Sequence, residues 1–329
     1  KPINPMAVYT DVSDEDIARF VAEYDIGNVI SFKGIAEGVE NTNFLLQTDQ
    51  APFILTLYEK RVNPDDLPFY LGLMDHLSSK GLNCPTPIHG TDGVALRRLC
   101  GRPAAITSFL NGMSPRRIQP HHCAGLGTAT AQLHTAGQDF DIYLGNAFGV
   151  KGWRPLFESC RSDANGVQPG LEQMIEGELD FLEANWPHHL PAGVIHADLF
   201  PDNVFFFPGQ DDVSGVIDFY FACNDLLAYD LAICMNAWCF EPDNSFNVTK
   251  ARNLLSSYGK VRPLSGDELA ALPILARGAS LRFLLTRLYD WINTPKDALV
   301  TPKNPREYIN KLRFHQRVDS ASAYGLSEE

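Results

Sequence analysis

Apolar residues recur along this chain with two different periods, and the change from one to the other divides it. Ile17, Phe20, Val21 and Tyr24 follow Ser13 and the acidic residues Asp14, Glu15 and Asp16 at helical spacing. This is the pattern of a short amphipathic helix with a serine cap and carboxylates at the positive end of its dipole. Three runs with β character come next, 29–36, 43–48 and 53–59. The last two are separated by the turn residues Asp49 to Pro52, so an antiparallel meander is expected. Asp65 and Asp66 ahead of Pro68 open a second helix that carries Leu67, Leu71, Met74 and Leu77 as far as Gly81. Two more β runs, 94–99 and 104–110, flank Gly101 to Pro103 and complete an expected five-stranded antiparallel lobe crossed by one helix.

Past Asn111-Gly112 the period turns helical, over 120–136, 171–186, 226–239, 248–258, 266–291 and 305–316. One β-hairpin candidate interrupts it, with 194–195 and 204–207 before the turn at 209–212 and 213–217 after it. The most polar stretch of this region, 196–203, hangs from that segment. The expected architecture is α+β, with a β-rich region over 1–110 and a larger, mainly helical region over 111–329.

Charge removes several classes of function. The 27 Lys+Arg against 40 Asp+Glu leave a net charge of −13, so no basic face for nucleic acid or anionic lipid is expected. The uninterrupted apolar runs fall well short of the roughly 20 residues of a membrane span, and no basic-plus-apolar leader opens the chain. The expected compartment is therefore the cytoplasm, with a small molecule as partner. The seven cysteines form no CxxC pair and mostly sit among apolar residues, which reads as reduced core thiols rather than disulfides or metal ligands.

The chemistry concentrates at three residues. Asp198 and Asn203 stand five apart in the loop that opens with His196, and the strand returning from the 209–212 turn delivers Asp218. Phosphoryl transfer to an alcohol needs a carboxylate to accept the hydroxyl proton, and a carboxylate and an amide oxygen to hold Mg2+ on the nucleotide phosphates. His196 reads as a residue that orders the loop. Asp230, near the start of the next helix, reads as a brace or cap.

These motifs resemble the aminoglycoside phosphotransferase-like branch of the protein-kinase-like fold, over roughly residues 10 to 320. The resemblance implies a bilobal fold, ATP and Mg2+, Asp198 as base, Asn203 and Asp218 as metal ligands, and Ser108 to Leu110 as the hinge against adenine. It also implies that Gly34 and Gly38, with Asn43 after them, cover the nucleotide phosphates. Where that family presents a phosphate-pairing lysine this chain has Thr56, and the partner glutamate aligns near Tyr70. Lys60, about 13 Å further along the same strand face, or Lys33 stands in its place, and a chain that binds nucleotide without turning it over stays open as a reading.

The strings Asn236 to Phe240, Tyr258 to Ser265 and Arg277 to Trp291 resemble the type II homoserine kinase family, which implies L-homoserine as the acceptor. Its carboxylate needs a cation. Arg282 and Arg287 are the candidates, and five residues put them about 500° apart around a helix, off any common stripe. A salt bridge is the alternative use of each. Tyr220 and Trp238 read either as pocket walls or as core aromatics. Hydroxylysine, choline or methylthioribose stay open as other acceptors.

Overall fold

A computed structural model describes residues 10–35, 41–59, 62–294 and 301–326. The chain divides into two compact units. One is Lys1–Asn111 with Phe140–Leu144 and Gly215–Tyr220; the other is Gly112–Asp139, Gly145–Ser214 and Phe221–Glu329.

The first unit opens with α1 (Asp14–Val21), where the Ser13 hydroxyl accepts the Asp16 N–H, as the cap pattern requires. The strands β1 (Val29–Ile35), β2 (Asn41–Thr48) and β3 (Pro52–Tyr58) follow, then α2 (Leu67–Ser79), β4 (Arg97–Leu99) and β5 (Arg102–Ser108). They form one antiparallel sheet in the order β1-β2-β3-β5-β4. Phe44, Leu46, Leu55, Leu57 and Ile106 pack with Ile17 and Phe20 of α1 into the core of this unit. The run expected from residue 94 shortens to Arg97–Leu99. Gly93 is left-handed (φ +80°), and Val94 gives its N–H to Asp92 Oδ1 and its carbonyl to Gly90 N–H, so the start of the run is a turn.

The second unit contains α3 (Pro120–Ala136), α4 (Val150–Glu158), α5 (Arg161–Val167) and α6 (Leu171–Asn185). After these come β6 (Ala192–Ile195), β7 (Val204–Phe206), β8 (Val213–Val216, whose last two residues belong to the first unit) and β9 (Cys223–Leu226), then α7 (Leu227–Trp238), α8 (Val248–Val261), α9 (Gly266–Asn293) and α10 (Arg306–His315). The segment 194–195 is not part of the hairpin. It belongs to β6, which pairs antiparallel with β9, while β7 and β8 make a sheet of their own. The helices α4 and α5 also go beyond the sequence pattern; Gly152 and Pro155 obscure the amphipathic stripe on which Trp153 and Phe157 are buried.

Among the described helices α9 is the one with the length and apolar content of a membrane span, yet 67% of that window is buried inside the unit. A capping box at Ser265 and Glu268 starts it. At Gly278 a Cβ would lie 2.3 Å from Trp186 and 2.8 Å from Trp153, so this glycine is what lets the edge-to-face indole pair seat against the helix. Six cysteines are buried thiols, whereas Cys100 is exposed on the left-handed turn between β4 and β5.

Gly278→Ala should therefore overpack this contact and cost about 1–3 kcal/mol of unfolding free energy. Gly259→Ala, on α8 with nothing near its added methyl, should leave stability unchanged or raise it by up to about 1 kcal/mol. Urea denaturation of the two variants beside the parent measures both.

Candidate active site

The pairing of β6 with β9, and the immediate passage of β9 into α7, bring the first turn of α7 under the loop that leaves β6. Asp230 is the residue placed there, fully buried. Its Oδ2 accepts the His196 N–H (2.9 Å) and its Oδ1 the Ala197 N–H (2.9 Å). Ala197 is held in the left-handed region (φ 63°), costly for a residue with a Cβ. Its carbonyl accepts from Arg282 Nη1, and the next carbonyl but one, Leu199, accepts the Trp238 indole N–H at 2.7 Å. Almost every turn of the loop is thus fixed by a named donor or acceptor.

Asp198 lies between these anchors, half-buried. A 3-10 turn over Pro201–Asn203 folds the loop back, and Asn203 Nδ2 donates to the Asp198 carbonyl (2.8 Å) and to its Oδ2 (3.1 Å). The expected pair is brought together. With the amide nitrogen committed to Asp198, Asn203 presents its Oδ1 away from it, a hard oxygen of the kind that Mg2+ or Ca2+ takes. Asp218 belongs to the first unit, and its carboxylate sits on a backbone turned into the left-handed region (φ 63°).

A second tier supports Asp230. His134, buried at the end of α3, donates to Asp230 Oδ2 through Nε2 (3.0 Å), and its Nδ1 meets the Tyr258 hydroxyl at 2.8 Å. Arg262, itself paired with Glu268, donates to that same hydroxyl oxygen at 3.0 Å. Because Arg262 can only donate, the phenol proton points at Nδ1, which accepts it, and Nε2 is the ring nitrogen that donates to Asp230. Burial acts to raise the Asp230 pKa, but the His134 hydrogen bond, the electrostatic pull of His134 and His196, and the His196 N–H outweigh it and hold it below the ordinary carboxylate value. His196 receives the Asp198 N–H on Nδ1 (3.3 Å), so it orders the loop from within.

The remaining candidates fall at several places. Trp238 is buried, and its indole N–H is engaged by the loop. Arg287 pairs with Glu307 at 2.6 Å, whereas Arg282 is buried beside the loop. In the first unit Asn43 and Thr56 face each other across β2 and β3, with the Thr56 hydroxyl donating to Asn43 Oδ1 at 2.8 Å. Tyr58 and Tyr220 join through their hydroxyls at 3.0 Å, and Tyr70 packs edge-on to Tyr220. Burial pushes the Tyr220 phenol up to about 12, and Tyr58 also rises, so the cluster is neutral. Where the sequence lacks the family's ion pair there are a threonine and three phenols. Lys33 is exposed, on the same sheet face as Thr56 and two strands away, and Lys60 lies outside the described residues. Gly34 pairs with Phe44 inside β1, and Gly38 also lies outside the described residues. Ser108 ends β5 with its hydroxyl accepting the Thr86 N–H, and Leu110 lies against Gly215. His134 is a site residue that no sequence signal marked, since a lone histidine on an apolar helix reads as core; Tyr258 and Arg262 lie in one of the resemblance strings, which gave them no role.

Residues 31–264 match the phosphotransferase enzyme family. A homoserine kinase of Paramagnetospirillum magneticum (strain AMB-1) is 65% identical over 325 residues, 98% of this chain and 100% of the relative. A homoserine kinase of Rhodospirillum rubrum is 62% identical over 322 residues, again 98% and 100%. Among solved structures, amicoumacin kinase in complex with AMP-PNP, Ca2+ and Ami superposes with a TM-score of 0.68 at 12% identity, over 93% of this chain and 92% of that one. Choline kinase from Cryptosporidium parvum gives 0.68 at 14% identity, over 93% and 95%. The expected protein-kinase-like α+β fold is the one these structures share with it.

Asp230→Ala would leave two backbone amides and an imidazole N–H buried without an acceptor, and should cost about 3–5 kcal/mol in urea denaturation. Because the folded pKa is the lower one, the contribution of Asp230 is complete above the ordinary carboxylate range near pH 4. It fades only as pH falls through the folded value. The gap in urea midpoint between parent and variant should therefore be constant from about pH 8 to pH 5 and close below about pH 4.

Proposed function

We propose that this chain, which belongs to the phosphotransferase enzyme family, uses ATP to phosphorylate the side-chain hydroxyl of L-homoserine, giving O-phospho-L-homoserine on the way to threonine. Family membership implies a nucleoside triphosphate donor and a divalent cation; Mg2+ and the cytoplasm are the parts of the reading that are ours. The observation that carries it is the pairing of Asp198 with Asn203 on a braced loop, in a chain 65% identical, end to end, to a homoserine kinase.

In this reading Asp198 accepts hydrogen bonding from the acceptor hydroxyl and takes its proton as the oxygen attacks the γ-phosphorus. The bond to the β,γ-bridging oxygen breaks, ADP leaves, and the proton passes from Asp198 to solvent. Asn203 holds the carboxylate in orientation through Nδ2 and offers Oδ1 to the metal; Asp218 offers its carboxylate. The cation, when bound, neutralises phosphate charge. Gly34, Gly38 and Asn43 would cover the phosphates, with Thr56 beside Asn43, and Ser108 and Leu110 would contact adenine. The neutral cluster of Thr56, Tyr58, Tyr70 and Tyr220 then orders the nucleotide-binding sheet by hydrogen bonds and ring contacts instead of an ion pair.

ADP release from Mg-ATP should be selective for L-homoserine over choline, hydroxylysine and methylthioribose. Asp198→Asn should lower kcat about 10²–10⁴-fold while ATP binding, followed by nucleotide fluorescence, stays within about threefold. Turnover of another alcohol in preference to homoserine would displace the acceptor; ATP binding with no turnover of any acceptor would favour the non-catalytic reading.

A further inference from the structure

Among the described residues, five buried side-chain polar atoms have no hydrogen-bond partner, and three of them lie in the helical unit, on Arg282, Tyr229 and Tyr308. Arg282 is 2% exposed. Its guanidinium sits 4.3 Å from the ring centre of Phe283, 5.6 Å from that of Phe148 and 5.8 Å from that of Phe221. Nη1 donates to the Ala197 carbonyl, Nε donates to nothing, and no ion pair to Arg282 is formed among the described residues. A cation removed from water by aromatic rings and given no ion-pair partner is an unfavourable arrangement; the nearby Asp225 carboxylate feels this charge but accepts from Asn146 Nδ2 and the Leu226 N–H instead. Arg287, five residues on, shows the usual remedy in its bond to Glu307.

The two partnerless phenols share the field of this charge. Burial pushes both far up; Arg282 is the leading charge that pulls Tyr229 back, whereas on Tyr308 it adds to the stronger pull of Arg287, with Glu307 and Asp198 acting in the opposite sense. The ring of Tyr308 lies 5.5 Å from that of Phe283, which the Arg282 guanidinium covers, and the same guanidinium reaches the carbonyl next to Asp198; these groups occupy one neighbourhood, with Tyr229 in the field of the same charge, and the three orphaned groups are all donors. We infer that Arg282, with the hydroxyls of Tyr308 and Tyr229, is the receptor for the α-carboxylate of the acceptor, an inference that rests on the amino-acid alcohol proposed above. The acceptor's carboxylate supplies the missing anion and two oxygens for the unpaired donors. The same guanidinium holds the carbonyl of Ala197, one residue before Asp198, so acceptor binding and the position of the base are mechanically linked. Phe148 and Phe221 are half-buried, so of the three rings around the guanidinium these two lie nearest the solvent side.

The test compares L-homoserine with 3-aminopropan-1-ol, the same amino alcohol without its carboxylate, on the full-length enzyme. Arg282→Gln should lower kcat/KM for homoserine about 100-fold more than that for 3-aminopropan-1-ol, the excess falling mainly on KM, while the loss shared by both acceptors reports the loosened Ala197 carbonyl. Tyr308→Phe, which removes one oxygen and little volume, should lower the homoserine value about tenfold with the same selectivity. Equal losses for both acceptors would make Arg282 a brace for Ala197 and overturn the receptor. Should Arg282→Gln fail to fold, an unchanged homoserine KM in Tyr308→Phe overturns it as well. A wild-type enzyme that ignores homoserine overturns the earlier reading, and the receptor with it; one that uses homoserine while its variants do not discriminate overturns the receptor alone.

Discussion

The carboxylate of Asp230 accepts from His196 N–H, Ala197 N–H and His134 Nε2 in a place closed to water, and the shape of the catalytic loop depends on that convergence. Loop backbone buried away from solvent must find partners inside the protein. Here Asp230 takes two consecutive N–H groups while Arg282, Asn203 and Trp238 serve the three carbonyls that follow, which is why Ala197 can be kept in a conformation that its Cβ disfavours. The position of Asp230 follows in turn from the pairing of β6 with β9, since β9 runs without a gap into α7. A four-residue strand thus sets where the base stands.

Behind Asp230 the hydrogen bonds run in one direction, from Arg262 through Tyr258 and His134 to the carboxylate. Each group has its proton assigned by the donor before it, so the imidazole has one usable tautomer. Such chains polarise their members and hold geometry better than isolated pairs. The segment around Tyr258 and Arg262 is far from the loop in sequence, yet it fixes the orientation of the ring that orients the carboxylate.

What could be read in the sequence was what neighbours dictate. Pro120 at N1 and Gly137 after the last turn bound α3 as expected, and the five-residue step from Asp198 to Asn203 closes through a local 3-10 turn. The β6–β9 pair was not legible, because Cys223-Asn-Asp-Leu226 has no alternation and its partner lies some thirty residues earlier. His134 was hidden for the same reason, its role residing in residues 96 and 124 positions away. Arg282 was visible as a candidate, but both arginines are buried against rings, and only the Glu307 partner of Arg287, which Arg282 lacks, separates them.

The neutral cluster in the β-rich unit has a consequence for how the chain is made. Tyr58 lies on the central strand of a sheet encoded wholly within the first 111 residues, but the hydroxyl that meets its own arrives on Tyr220, 162 positions later. Synthesis proceeds from the N-terminus at roughly 5–20 residues per second. The sheet therefore waits through the emergence of α3 to α6 with a buried phenol unanswered and the segments 140–144 and 215–220 not yet docked. This unit reaches its final form only after nearly half of the other has left the ribosome.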